Sequence, residues 1–418
     1  MTFPTSVIRK LARSEEGFAQ TKTFHGLTIG LRGPVDADAM SLAFDRLLEA
    51  HPVLAGHLEV GSDGRHQIVA DDLAHPGIWV TDGDDGPSAA SAEMQLDQSV
   101  ALVNLRLKVG DGDAELTLYT HHSMADGAHQ FRLLEELFSW YTDAVCTGAI
   151  EPTDPEPAPA PLEALLEERG IQKQRLSGLE RFLPAMFAYD LPATRNGATR
   201  SGLGLPVHMP VARCSLTREE TRALAGFCRD RRVSVNAVVA AAILLAEWRV
   251  RDTPSVPIPY LYPVDLRYLL SPPVEMTGCT NAVGMAAYLA EIGPNTDAMD
   301  LARDIADTFR ADLSEGVIQQ SLLHFSPDEA NMGLPNIVLC TDMGTTPPLR
   351  IPPDLNVMDF RSEVHRASLS GVDLYGACTF NDSLKVEHHT ENKEPHKVVE
   401  VVHTLLLTIP SEDSWMAD

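Results

Sequence analysis

The residues best suited to chemistry are His121-His122-Ser123-Met124-Ala125-Asp126-Gly127. An imidazole whose ordinary pKa is about 6.5 takes up a proton at neutral pH, so His122 is a candidate general base. Asp126 lies four residues on, before Gly127. Its carboxylate can fold back to fix a tight loop, or pair with an arginine. The ordinary alternative is a surface histidine pair followed by an Asp-Gly turn and a helix cap. The flanks favour chemistry. Val103, Leu105, Leu107 and Val109 alternate with polar residues, Gly110-Asp111-Gly112-Asp113 makes a turn, and Leu116 and Leu118 alternate on the way back. This is a hairpin whose second strand ends at the histidine pair. Beyond Gly127, Phe131, Leu134, Phe138, Tyr141 and Val145 recur at helical spacing. A strand–loop–helix junction aims a short loop from a rigid scaffold, and such loops commonly carry function.

Other machinery is missing from the sequence. It has no GxSxG elbow, no GxxxxGK(S/T) or GxGxxG phosphate loop, and no HExxH, so a serine hydrolase, a phosphate cradle and a zinc peptidase lack motif support. His388-His389 reads as an ordinary strand-end pair. The six cysteines, Cys146, Cys214, Cys228, Cys279, Cys340 and Cys378, form no CxxC pair and have no metal-ligand spacing with histidine. Six reduced thiols are expected, as in a reducing compartment. Neither a metal nor a cofactor is expected.

The elements that must hold the motif belong to a long chain. Its 418 residues exceed the roughly 250–300 at which single cores stop growing, so two domains are expected. The net charge of −26, from 59 acidic and 33 basic residues, argues against a nucleic-acid partner, whose phosphates need a positive footprint. No apolar stretch is long enough to span a bilayer, and the first residues do not read as a secretory signal. A cytoplasmic protein is expected. Leu27, Ile29 and Leu31 mark a strand that Gly33-Pro34 ends. A helix follows with Asp36 as cap, then the hairpin and the helix beyond the motif. A proline-rich connector spans 151–161, a helical stretch spans roughly 162–188, and a Gly/Pro-rich crossover spans 191–210. Thr217 and Glu220 form a capping box, and Ser234 caps an apolar helix over 235–250. The prolines in 255–264 suggest a sheet edge or a bulged strand. A helix over 297–314, strands at 337–340, 372–378 and 384–388, and a closing helix over 396–407 complete the pattern. The division is 1–190, a linker at 191–210, and 211–418.

His-His-x-x-x-Asp-Gly is the signature of the chloramphenicol-acetyltransferase-like acyltransferases, including the condensation domains of nonribosomal peptide synthetases. The stretches FDRLLEAHPVL (44–54), PVDLR (263–267) and GCTN (278–281) resemble that group. The segments SVIRKLARSEE, HPVLAGHLE, AELTLYTHHSMADG, PIPYLYPVDLR, AEIGPNTD, GVIQQS and SLSGVDLYG are similar to the mycobacterial polyketide-associated acyltransferases, which esterify phthiocerol and phthiodiolone with mycocerosic acids. This likeness runs along nearly the whole chain. One departure matters. Condensation domains usually carry Asp-Phe-Gly-Trp-Gly late in the chain, whereas 371–383 reads GVDLYGACTFNDS, so no role tied to that motif is transferred.

The resemblance implies an α/β (α+β) fold of two acetyltransferase-like halves, each a mixed sheet with flanking helices, forming a V around a channel with His122 at its middle. It implies transfer of a long, methyl-branched acyl chain from the acyl carrier domain of a polyketide synthase to the hydroxyls of a long-chain diol, without an acyl-enzyme. His122 is then the base and Asp126 shapes the loop. His121 and Gly127 support the motif, and Arg267 is the expected partner of Asp126. Arg303 and Arg310, on one face of helix 297–314, are candidates for docking an acidic carrier. A monomer is expected, with peripheral contact to membrane. A related enzyme using acyl-CoA and another alcohol, or a non-catalytic carrier-binding module, are the alternatives.

Overall fold

The computed structural model describes residues 6–70, 76–82, 95–183, 204–251, 255–325, 337–367, 372–390 and 395–412. The first part of the chain runs β1 (Ser6–Lys10), α1 (Arg13–Gln20), β2 (Phe24–Arg32), α2 (Ala37–Ala50), β3 (His57–Val60), β4 (His66–Ala70), β5 (Ile78–Asp82), β6 (Val103–Val109), β7 (Asp113–His121), α3 (Gly127–Thr147) and α4 (Leu162–Glu168). The remainder runs β8 (Val207–His208), β9 (Val211–Ser215), α5 (Arg218–Asp230), α6 (Val235–Val250), β10 (Ile258–Asp265), β11 (Val283–Ala290), α7 (Ala298–Ser314), α8 (Val317–Gln320), β12 (Ile337–Thr345), β13 (Asn356–Arg366), β14 (Val372–Phe380), β15 (Ser383–His389) and α9 (Pro395–Glu412).

These strands form two six-stranded sheets, ordered β5-β6-β7-β2-β13-β8 and β11-β10-β12-β14-β15-β9, and a three-stranded sheet β1-β4-β3. Each large sheet builds a core from its apolar alternation. In the first, Leu27, Ile29 and Leu31 of β2 and Leu116 and Leu118 of β7 pack against Phe44 and Leu47 of α2 and Leu134 and Phe138 of α3. In the second, α6 is buried on all sides from Ala237 to Glu247, which is why its sequence is apolar around the whole helix. Local signals act where expected. The Asp36 carboxylate accepts from Ala39 N–H at 2.9 Å, Ser234 Oγ accepts from Ala237 N–H at 3.2 Å, and Thr217 with Glu220 closes a capping box. The result is a mixed α/β molecule with two sheet-bearing halves, consistent with the expected V.

The halves share a strand. β13 comes late in the chain yet pairs with β2 of the first sheet, from Asn356 opposite Arg32 to His365 opposite Phe24. β8 then pairs with β13. The seam is polar. The Glu387 carboxylate on β15 accepts from Ser362 N–H on β13 at 3.0 Å and from Arg213 Nε on β9 at 2.6 Å.

Two expectations are corrected. The helix over 162–188 is the short α4, because Gly170 and Gly178 take positive φ (68° and 82°), which ends helical geometry; residues 184–188 lie outside the described residues. The proline-bearing strand β10 is neither an edge nor bulged. It pairs with β11 without a register shift over Ile258–Asp265 and with β12 through Tyr260 and Leu261. Two paired residues make a short ladder, as suits a strand with no N–H at Pro259 and Pro263. Of the crossover at 191–210, residues 191–203 lie outside the described residues. No single helix among the described residues is long and apolar enough to cross a membrane.

Candidate active site

The motif is held from three sides. β7 ends at His121 and α3 begins at Gly127. Asp126 is the N-cap of α3, and its Oδ1 accepts from His129 N–H at 2.9 Å. The same oxygen accepts from Arg267 Nη2 at 2.9 Å, and Oδ2 accepts from Ala282 N–H at 2.9 Å. Asp126 N–H donates to the Thr280 carbonyl at 2.8 Å. One carboxylate therefore caps the helix, pairs with Arg267, which is fully buried, and fastens the 278–282 loop of the other half to the motif. Arg267 also donates from Nε to the Met276 carbonyl and lies 3.2 Å from Asp265, so its charge is amply matched. No side chain crowds Gly127. The nearest atom to a Cβ built there is Cγ of Met343 on β12, at 3.9 Å, so its smallness leaves space beside the motif.

The two histidines diverge. His121 is fully buried. Its Nδ1 faces Ser123 Oγ at 2.6 Å and Ser123 N–H at 3.3 Å, which makes Nδ1 the acceptor, so Nε2–H donates to Gln98 Oε1 at 2.9 Å. Burial, with His122 second, pushes its pKa down to about 3. It is a neutral structural group. His122 is fixed by its backbone: its N–H donates to the Thr23 carbonyl at 2.8 Å and its carbonyl accepts from Asn281 Nδ2 at 2.8 Å. The ring stacks on Phe18 of α1 with centroids 4.2 Å apart. Neither ring nitrogen makes a well-formed hydrogen bond to another described residue, and Nδ1 is buried; the Asn281 side chain lies close enough to favour the charged ring. Its own backbone carbonyl and Asp126 favour the charged ring, but burial outweighs them and lowers the pKa. An oriented imidazole, neutral at pH 7 and unengaged, is what a general base needs.

Supporting groups surround it. His25 lies 6.1 Å from His122, centroid to centroid. Its Nδ1–H donates to Gln130 Oε1 at 2.7 Å, and burial lowers its pKa to about 3. The Glu15 carboxylate, fully buried, accepts from Arg9, Ala12 N–H and Thr280 Oγ1, so α1 is tied to the same loop. Phe18 and His25 carried no sequence signal, since their roles arise from chain-distant packing, whereas Glu15 lay in the SVIRKLARSEE stretch, whose likeness to the family could have marked it. Asn281 lay in the GCTN stretch, whose likeness to the family could have marked it.

The remaining candidates lie elsewhere. Arg303 is paired with Asp300 at 2.8 Å and Arg310 with Asp307, each three residues back on the exposed face of α7. His388 and His389 are buried at the end of β15. His388 stacks on Tyr375 and lies 3.2 Å from Asp373, within a cluster of Glu247, Asp373 and His388 whose geometry could hold a metal ion. Arg251 enters that cluster, 2.9 Å from Glu247 and 3.7 Å from Asp373, so a cation already serves those carboxylates.

The architecture is that of the condensation-domain class. The first condensation domain of the CDA synthetase superposes with a TM-score of 0.66 at 14% identity, covering 97% of each chain. The family described as phthiocerol/phthiodiolone dimycocerosyl transferase C-terminus matches residues 205–389. The phthiocerol/phthiodiolone dimycocerosyl transferase of Mycobacterium tuberculosis is 53% identical over 421 residues, covering 100% of both chains. The solved structure of polyketide synthase associated protein 5 from that organism superposes with a TM-score of 0.88 at 52% identity, covering 98% of this chain and 100% of that one. The chain belongs to the phthiocerol/phthiodiolone dimycocerosyl transferase family and is an acyltransferase.

Proposed function

We propose that the protein moves a long, methyl-branched acyl chain from a carrier-protein thioester to the hydroxyls of a phthiocerol-type diol, with His122 as the general base. The observation that carries this reading is the His122 ring, oriented by its backbone and by Phe18, with no well-formed hydrogen bond to a described residue at either nitrogen. The relatives' names supply the acyl and acceptor classes. His122 takes the proton of the hydroxyl, the oxygen attacks the thioester carbonyl, and the departing thiolate recovers the proton. No acyl-enzyme is required. The hydroxyl nearest in the motif, Ser123, is spent on His121. The Cys279 thiol is pushed up to about 12, burial first and Asp126 second, so it holds almost no thiolate at neutral pH.

The donor arrives on the acyl carrier domain of a polyketide synthase, and acidic carriers suit the exposed arginines of α7, Arg303 and Arg310. The enzyme acts as a cytoplasmic monomer and touches the membrane peripherally, because its acceptor is a lipid. The experiment is acyl transfer from palmitoyl-CoA to octanol, following thiol release and ester formation, wild type against His122→Ala. General-base assistance is worth about 10²–10⁴ in rate. Wild-type ester formation with a loss of that size in a folded variant supports the assignment, and an unchanged single-turnover rate in the variant overturns it.

A further inference from the structure

Arg366 closes β13, and strand register fixes where it stands. His121 of β7 lies opposite Phe24 of β2, and Phe24 lies opposite His365 of β13. These three side chains share one face of the sheet. Side chains alternate between faces along a strand, so the next row, His122, Thr23 and Arg366, leaves from the other face. Two strand spacings, about 10 Å, separate the backbones of His122 and Arg366, within the reach of two long side chains that converge. His122 and Arg366 both keep some exposure, as does His365 on the opposite face, whereas His121, Ser123 and Ala367 are buried. The row therefore opens onto accessible space at these two residues.

Arg366 is a cation without a counter-ion among the described residues. Its Nε is sealed from solvent and has no hydrogen-bond partner. The acid nearest in sequence, Glu363, lies on the opposite face, where it accepts from Arg106, Tyr119 and Thr28. Burial holds the guanidinium below its ordinary pKa, and its charge is among the influences that keep His122 neutral. A guanidinium partly withdrawn from water and without a counter-ion is disfavoured. Such a group is worth keeping where a negative charge arrives during the working cycle.

Among the described residues, the neighbouring side-chain donors of the motif and its partner loop are already engaged. Asn281 Nδ2 serves the His122 carbonyl, Ser123 Oγ serves His121, and Thr280 Oγ1 serves Glu15. Gln130 Nε2 serves two backbone carbonyls, and Arg267 serves Asp126.

We propose that Arg366 is the cation that stabilises the oxyanion of the tetrahedral adduct formed beside His122. The inference rests on the acyl-transfer reading. The alcohol's proton passes to His122 as its oxygen bonds to the thioester carbon. The carbonyl π pair moves onto oxygen, which faces the guanidinium. Collapse re-forms the carbonyl, breaks the C–S bond, and the thiolate takes the proton from His122, so nothing is consumed beyond alcohol and thioester. The neutral thioester makes weak use of Arg366 and the oxyanion makes strong use of it, and this difference accelerates the chemical step.

The test compares wild type, Arg366→Gln, Arg366→Lys and His122→Ala in single-turnover transfer from palmitoyl-CoA to octanol. Loss of one oxyanion donor costs about 10²–10³ in kcat. Arg366→Gln loses that much while KM for the thioester stays within about threefold, and Arg366→Lys recovers at least tenfold of the loss. The acid limb of the pH–rate profile moves to higher pH in Arg366→Gln, because the charge that holds His122 down is gone, and stays in place in Arg366→Lys. A folded Arg366→Gln variant with wild-type kcat overturns the proposal, as does a loss that appears entirely in KM. If Arg366→Gln does not fold, Arg366→Lys decides: a kcat at least tenfold lower with an unmoved acid limb supports the role, and wild-type kcat overturns it. A wild type that makes no ester, or a fully active His122→Ala, removes the acyl-transfer reading itself. An inactive His122→Ala beside a fully active Arg366→Gln removes the Arg366 role alone.

Discussion

Each large sheet has a strand that ends at a histidine pair: β7 closes at His121 with His122 just beyond it, and β15 closes at His388-His389. In sequence the pairs look alike. In the fold they differ in how their rings are engaged. His388 lies against Asp373 and Tyr375, and His389 lies 3.1 Å from Ser362 Oγ and 3.6 Å from Glu387. Both have Nε2 committed to neighbours in the seam or the second core. In the first pair His121 takes the structural duty, and the ring of His122 is left uncommitted. Nδ1 is buried and without a partner in His122, His388 and His389 alike, so what sets the proposed base apart is its Nε2, which makes no well-formed hydrogen bond to a described residue, and not the dipeptide.

The sharpest test of this contrast pairs His122→Ala with His389→Ala. The first lowers kcat by about 10²–10⁴ with Tm unchanged. The second leaves kcat within a few-fold but costs about 1–3 kcal/mol of stability, because it removes one buried partner from Ser362 and Glu387, which then keep each other and Arg213. Equal losses of kcat in the two variants would erase the distinction. Asp126→Ala comes next. It removes the helix cap and one of the two carboxylates that Arg267 meets, leaving Asp265 as its remaining counter-ion, a change worth at most about 3–5 kcal/mol. Denaturant unfolding should show that loss, and Asp126→Asn, which keeps an acceptor for His129 N–H, should recover part of it.

A smaller effect is pH-dependent. His121 and His25 have pKa values pushed down to about 3, and His129 to about 4, from an ordinary 6.5, in each case by burial first. Below pH 6.5 the unfolded chain binds protons at these sites that the folded chain refuses. Their contribution is thus complete above pH 6.5 and declines as pH falls toward 3–4. Tm should drop between pH 7 and about pH 5, with a shallower slope in His121→Gln. An identical slope in that variant would show that His121 is not among the groups responsible. The smallest effect belongs to α7. Arg310→Glu should lower turnover about tenfold or less with carrier-bound donor and leave transfer from palmitoyl-CoA intact, because rim charges act mainly on encounter. Equal activity with both donors would move carrier docking to another face.

Much of this was legible in the sequence because it is local. The hairpin at 103–121, the helix after Gly127 and the caps at Asp36, Thr217 and Ser234 are set by alternation, turn residues and capping chemistry within a few positions. What was hidden is chain-distant. Nothing in 356–366 announces that it completes the sheet of the other half, because strand partners leave no mark on local periodicity. The prolines at 259 and 263 pointed to an edge, and a two-residue ladder let the strand sit inside. The role of Phe18 comes from α1 packing over a loop some hundred residues away in sequence. Arg366 has no motif at all, and only the register between β7, β2 and β13 brings it to the row of His122.

The shared strand also bears on how the molecule comes into being. The sheet that carries His122 lacks its fifth strand until residue 366 has emerged from the ribosome, when most of the 418-residue chain is already made. Until then β2 presents an open edge, the kind of surface that recruits wrong partners during synthesis. The halves cannot be exchanged between relatives by a cut at any single point, since a graft of either must bring along the strand it lends or borrows. The acyltransferase is thus one cooperative object assembled from both ends of its sequence, and its active site is among the last parts to close.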